Sequence, residues 1–362
     1  MTQNRLGPML SQNSKTDHQH IGAGKNDRTL YLHIGLHKTG TSSLQRSLSK
    51  DRWRLQLLHG LKYFKKRYAG PNLNRMVSWS YTKDANFGIV EPVYEAILQD
   101  LRKSKLNTII SSEDLSLLSE SDVSKLSVEL NDIFGNIKII IYLRRQDRMA
   151  VSLKSQGVKT PQQMILMGVE DTPLPIKLRA SAETYLSYDK LYLRWSNAFP
   201  KAEIIIRSYN RSSLVGQDTV EDFYYLIGIN CPRRKRIFLN QSATEQESRL
   251  MWKLKRCGVS IQDLKKIWKS LPSSSQSSKF LPSKDEAISF MHKFSQSNNV
   301  LCDILGRSEL FDSNFDEYPE RRDSESIDME YLRDCLQAAN SIEGLSDNGK
   351  RIIDKLVRDL AL

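Results

Sequence analysis

Cysteine, histidine and long apolar runs are all scarce in this chain. Its four cysteines, Cys231, Cys257, Cys302 and Cys335, stand far apart without a Cys-x-x-Cys pair. That spacing excludes a zinc ribbon and gives no disulfide framework, so the thiols read as buried or idle. Only six histidines occur, and no two of them stand with a carboxylate at metal-ligand spacing, so no metal is expected. No apolar run approaches the length that crosses a bilayer, and Met1-Thr-Gln-Asn-Arg-Leu-Gly-Pro8 has no signal-peptide stretch; a cytoplasmic location is the expectation. Helix-turn-helix, zinc-finger and aromatic RNP patterns are missing as well. Nucleic acid is therefore not the expected partner, although the net charge is +12. That charge suits an anionic cofactor, an acidic acceptor or a peripheral membrane surface.

What is present begins with 39% hydrophobic residues, enough for a sizeable core. Residues 1–27, rich in Gln, Asn, Ser, His and Gly, read as a disordered arm. Four apolar runs follow, Thr29 to Gly35, Asn107 to Ser112, Ile137 to Leu143 and Ala202 to Arg207, with helical spacers between them. Near-continuous apolar strands separated by helices predict βαβ units and a parallel sheet buried on both faces. The first helix carries Leu44, Leu48, Trp53, Leu57 and Leu58 and stops near Gly60. Strand signals fade beyond about residue 245, where helices and a Ser-rich loop at 271–282 take over. The expected organisation is an α/β domain over 28–245, with a three-layer P-loop-like fold around a central parallel sheet, and a helical extension over 246–362.

Two segments carry chemistry. In Leu30-Tyr-Leu-His-Ile-Gly-Leu-His-Lys-Thr-Gly-Thr-Ser-Ser-Leu-Gln45 a strand runs into a glycine- and hydroxyl-rich loop and then a helix. Gly35 and Gly40 have P-loop spacing, but Thr41 stands where a triphosphate-cleaving loop has its Lys, which has moved to Lys38. Loop N–H groups, a helix start and an ammonium attract a nucleotide anion. In the second segment, Tyr142-Leu-Arg-Arg-Gln-Asp-Arg-Met-Ala-Val-Ser152, Arg144 stands at a strand's carboxyl end and Ser152 lies two turns into the next helix. A guanidinium and a hydroxyl there suit a second phosphate. A kinase would want an acidic magnesium ligand at that strand end, where this chain has two arginines.

Together these segments resemble the sulfotransferases that use 3'-phosphoadenosine 5'-phosphosulfate (PAPS). His37-Lys-Thr-Gly-Thr-Ser-Ser43 is similar to their 5'-phosphosulfate loop, and Arg144 with Ser152 to their 3'-phosphate site. Tyr188-Asp-Lys-Leu-Tyr-Leu-Arg-Trp195, Ile204 to Leu214 and Leu239-Asn-Gln-Ser242 resemble later family segments, so the likeness runs over roughly 29–245. The resemblance implies that Lys38, Thr39, Gly40, Thr41 and Ser42 hold the 5'-phosphosulfate. It also implies that Arg144 and Ser152 hold the 3'-phosphate and that Tyr188 lies near the nucleotide. Where cytosolic members carry an aromatic residue for the adenine, this chain has Ser43. The family's Arg-Lys-Gly loop is missing, and Arg233-Arg-Lys-Arg236 is a substitute or a solvated turn.

The resemblance also places a base after the second strand, where Glu113 stands, with Asp114 its rival and a helix cap the structural alternative. Ser111 occupies the position of a Lys in cytosolic members, which brings the chain nearer the carbohydrate-directed and bacterial branches. The expected reaction is sulfuryl transfer to a hydroxyl or amine, on a small molecule, carbohydrate or glycolipid, with Lys38 and Glu113 catalytic and adenosine 3',5'-bisphosphate released. The alternatives are a nucleotide-dependent kinase or a non-catalytic polyanion-binding module.

Overall fold

The computed structural model describes residues 27–64, 77–79, 87–89, 91–159, 167–168, 170, 172–232, 243–272, 278–321 and 328–361. Residues 1–26, Arg233 to Arg236, Leu239 to Ser242 and the middle of the Ser-rich loop lie outside that set. The sheet contains β1 (Thr29–His33), β2 (Leu61–Tyr63), β5 (Asn107–Ser111), β6 (Asn136–Leu143) and β7 (Glu203–Ser208). Their spatial order is β2-β5-β1-β6-β7, and every pairing is parallel. A separate antiparallel pair joins β3 (Val77–Trp79) to β4 (Phe87–Ile89).

The four apolar runs all become strands, within a residue or two of the expected limits. Alternation along β6 explains the three layers. Ile137, Ile139, Ile141 and Leu143 meet one core, while Ile140 and Tyr142 meet the other. The first core is closed by α2 (Glu91–Lys103), α3 (Glu120–Ile133), α4 (Gln146–Lys159), α5 (Ala180–Leu186) and α6 (Tyr188–Ala198). The second is closed by α1 (Thr41–His59) and α7 (Thr219–Leu226). On α1 the inward stripe is Leu44, Leu48 and Leu55, whereas Trp53, Leu57 and Leu58 are exposed, contrary to the apolar pattern expected of them. Gly60 ends the helix in the left-handed conformation.

Beyond β7, α8 (Glu245–Arg256) and α9 (Ile261–Ser270) pack with α12 (Met329–Asn340) and α13 (Asp347–Ala361) around a third cluster that includes Trp252, Ile267 and Leu336. Between them, α10 (Lys284–His292) and α11 (Ser295–Leu305) send Phe290, Phe294 and Leu301 into the first core. No helix among the described residues is long and apolar enough to cross a membrane.

His33 is fully buried in β1, with Nδ1 2.8 Å from Ser111 Oγ and edge-on contacts to Tyr142 and Phe223. Burial pulls its pKa from 6.5 down to about 3. Between those values the unfolded chain binds a proton that the folded chain excludes, so stability falls as pH drops from about 6.5 toward about 3. Urea titrations from pH 7 to pH 4 should show stability falling by up to about 1.4 kcal/mol per pH unit from this residue. His33→Gln should flatten that slope; an unchanged slope contradicts the assignment.

Candidate functional site at the carboxyl edge of the sheet

All five strands point the same way, so the segments after β1, β5 and β6 emerge on one edge. With β1 central, its flanks are the switch point at which open α/β sheets bind ligands. The β1–β6 ladder continues past the strand end, through Tyr142 N–H to Gly35 O at 2.8 Å and Leu36 N–H to Tyr142 O at 3.1 Å. This extension carries the cradle toward Arg144.

The two glycines of the cradle answer two close approaches. Gly35 has φ +99°, and a Cβ there would stand 3.0 Å from Glu113 Cα and Cβ. Gly40 has φ +83°, and a Cβ would stand 2.7 Å from Thr219 Oγ1 on α7. Gly40 is also the cap of α1 and has no side chain to accept from the helix's first N–H groups, while Ser43 and Leu44 N–H donate to Gly40 O at 3.0 and 3.1 Å. The positive end of the helix is directed at the edge. The Thr39 and Thr41 hydroxyls turn inward and donate to Leu36 O at 2.6 and 3.1 Å, while Ser42 is exposed. Thr39 and Thr41 therefore shape the loop with their side chains.

Lys38 has φ +61°, a left-handed conformation that costs a non-glycine residue about 1–2 kcal/mol. Two contacts hold it. Its Nζ donates to Gln156 Oε1 on α4 at 3.1 Å, and its carbonyl accepts from Arg144 Nη1 at 3.0 Å. Gln156 lies one helical turn beyond Ser152 and two beyond Arg148, which places Ser152 on the stripe of α4 that faces Lys38. Tyr188 is buried and donates through Oη to Arg144 O at 2.6 Å, so it braces the tip of β6.

His37 is held on both sides. Its backbone N–H donates to Tyr185 Oη at 3.3 Å, the ring Nδ1 lies 3.1 Å from the same oxygen, and Nε2 lies 3.4 Å from Asp114 Oδ1. An Nε2–H toward the carboxylate and a Tyr185 O–H toward Nδ1 satisfy every group. Burial raises the Tyr185 phenol well above its usual range, with Glu113 and Asp114 adding to the effect. Glu113 opens a 3-10 turn, Glu113–Leu117, and its Oε2 accepts from Gln45 Nε2 at 2.9 Å. No side chain of Ser112 caps that turn.

The three arginines after β6 are not equivalent. Arg145, 1% exposed, is bidentate to Asp147 at 2.9 and 2.8 Å, donates to Asp312 Oδ1 at 2.9 Å and stacks 4.1 Å from the Phe315 ring centroid. Arg148 pairs with Asp312 at 2.9 Å and with Glu317. These two tie the extension's 312–317 segment to the strand tip. Arg144, half-buried beside the Tyr209 ring, has no carboxylate within salt-bridge distance among the described residues. Burial lowers its pKa from the usual arginine value.

The structure therefore gathers Lys38, Gly40, Thr41, Ser42, Glu113, Arg144 and Ser152 at one edge. It turns the Thr39 and Thr41 hydroxyls and the Tyr188 phenol into internal struts. Gln45 and Gln156 were missed in the sequence, although each follows a singled-out residue, Thr41 or Ser152, by one helical turn. Tyr185 and Thr219 arrive from distant segments and leave no local signal, and Tyr209 was not itself singled out within the Ile204 to Leu214 stretch.

No family model matches the chain. A curated protein of Archaeoglobus fulgidus, described as an uncharacterized protein, is 27% identical over 237 residues, or 63% of this chain. The chain spans 62% of that relative's length. A solved structure of a sulfotransferase from Alicyclobacillus acidocaldarius aligns with 78% of this chain and 97% of its own, at 14% identity and a TM-score of 0.38. That likeness is too distant to bear on this chain's chemistry.

The contrast among the arginines is measurable by urea unfolding. Arg145→Met leaves Asp147 buried without its partner and should cost about 3–5 kcal/mol. Arg144→Met removes one hydrogen bond to a carbonyl and should cost about 1 kcal/mol. Equal losses would place Arg144 in the structural network instead.

Proposed function

We propose that the chain is a PAPS-dependent sulfotransferase that moves a sulfuryl group to a hydroxyl or amine of a carbohydrate or glycolipid acceptor. The observation that carries this reading is the 3.0 Å hydrogen bond from Arg144 to the Lys38 carbonyl. It joins the glycine-bounded cradle to the tip of β6, which supports a ligand with phosphates at both ends of a nucleoside. The guanidinium keeps further N–H donors for a phosphate, and lacks a described carboxylate partner that would compete.

In this reading Lys38 and the N–H groups of Thr39, Gly40, Thr41 and Ser42 hold the 5'-phosphosulfate. Arg144 and Ser152 hold the 3'-phosphate, with Tyr188 fixing the backbone of Arg144. Glu113, oriented by Gln45, takes the acceptor proton. As the acceptor oxygen bonds to sulfur, the bond from sulfur to the 5'-phosphate oxygen breaks and its electron pair leaves with adenosine 3',5'-bisphosphate. Lys38 stands where charge grows on that bridging oxygen, the situation in which a preorganised cation contributes most. Asp147, just past the end of β6 in sequence, is engaged by Arg145 at 2.8 Å, which does not suit a magnesium-holding role.

Thermal melts in EDTA test the reading. Adenosine 3',5'-bisphosphate should raise the melting temperature clearly more than ADP or ATP at equal concentration, since a ligand at 100 times its Kd adds about 2.7 kcal/mol. Equal stabilisation by all three would refute it. Lys38→Ala should slow release of the bisphosphate from PAPS by about 10² to 10³ fold. A rate within a few fold of wild type would remove Lys38 from the chemistry.

A further inference from the structure

The outer face of α1 serves neither the core nor the candidate site. Ser42, Arg46, Lys50, Trp53 and Leu57 follow one another at intervals of four, four, three and four residues, so they form one stripe along the helix, opposite the buried Leu44, Leu48 and Leu55. Trp53 is 61% exposed and Leu57 78%, and Leu58 beside them is 71% exposed. Arg46, Lys50 and Arg52 are exposed too, and none has a carboxylate partner among the described residues. The Arg52 guanidinium lies 5.3 Å from the Trp53 ring centroid. Asp51, the acidic residue of this helix, reaches α7 instead, where it accepts from Tyr224 Oη at 2.6 Å. One side of the helix therefore presents large apolar side chains set among cations.

We infer that this face of α1 docks on an anionic lipid surface, with Trp53, Leu57 and Leu58 entering the headgroup boundary and Arg46, Lys50 and Arg52 meeting lipid phosphates. Charge complementarity selects that occupant. Helices that lie on a membrane bind through buried apolar area and attraction to anionic lipids together, and both are available here. Tryptophan suits the boundary because its ring is apolar and its N–H polar, and long cationic side chains extend to the phosphates while their stems lie among apolar groups. A soluble polyanion would use the cations but gain nothing from three exposed apolar side chains. A second copy of the chain would set the same cations against themselves across a two-fold axis. Ser42 of the cradle heads the stripe, so a helix lying along the surface brings the candidate site to the lipid edge. The docking does not rest on the sulfotransferase reading.

Sedimentation of the full chain with lipid vesicles tests this. Wild type should bind mixed phosphatidylcholine and phosphatidylglycerol vesicles much more tightly than vesicles of phosphatidylcholine alone. Arg46→Gln combined with Lys50→Gln should weaken that binding about tenfold to thirtyfold, the scale of two charges near an anionic surface. Trp53→Ser combined with Leu57→Ser should weaken it about tenfold or more. Brominated phosphatidylglycerol should quench wild-type tryptophan fluorescence, and Trp53→Phe should lose most of the quenching. Every variant should melt with wild type, since these side chains face solvent. Equal binding to both kinds of vesicle, or none to either, would overturn the proposal. So would undiminished binding by either double variant, or quenching that survives Trp53→Phe. A lower melting temperature in the serine variant would give the apolar pair to the fold, and a wild-type dimer that the serine variant abolishes would give the face to a second copy; either result overturns the proposal.

Discussion

The site depends on the hydrogen bond between Arg144 and the carbonyl of Lys38. Two segments 106 residues apart in sequence are joined there because β1 and β6 are adjacent parallel strands whose ladder extends past their ends. The bond helps hold Lys38 in a backbone conformation that a lysine does not prefer. Tyr188 steadies the same junction from beneath, through the carbonyl of Arg144. Strain of this kind persists only where several contacts over-determine it, and it gathers at functional sites.

Around that junction the charges are sorted by their neighbours. Arg145 and Arg148 are neutralised by Asp147, Asp312 and Glu317, and in turn bind the helical extension to the sheet edge. Arg144 has no such partner among the described residues and bonds the Lys38 carbonyl instead. A buried carboxylate beside the guanidinium makes a structural clamp, and in the proposed reading the lack of one leaves N–H donors for a phosphate.

Much of this was legible in the sequence, because long buried strands leave near-continuous apolar runs and a phosphate loop has a fixed spacing. Loop spacing singled out Lys38, and places after strand ends singled out Glu113 and Arg144. The three-residue β2 is too short for a periodic signal, and the exposure of Trp53 and Leu57 depends on what α1 packs against. Side-chain direction was also hidden. The resemblance assigned Thr39 and Thr41 to the 5'-phosphosulfate, and only the structure shows that the loop turns both hydroxyls onto Leu36 O. Asp312 and Glu317, which distinguish Arg145 and Arg148 from Arg144, lie more than 160 residues away in sequence.

Calorimetric titration of adenosine 3',5'-bisphosphate and adenosine 5'-phosphate into wild type and Arg144→Ala tests most directly whether one ligand bridges both pockets. The bisphosphate should bind wild type tighter by about tenfold to a hundredfold, the value of a charge-assisted hydrogen bond, and Arg144→Ala should erase that preference. Equal affinities for the two nucleotides in wild type, or a preference that survives the substitution, would contradict the account.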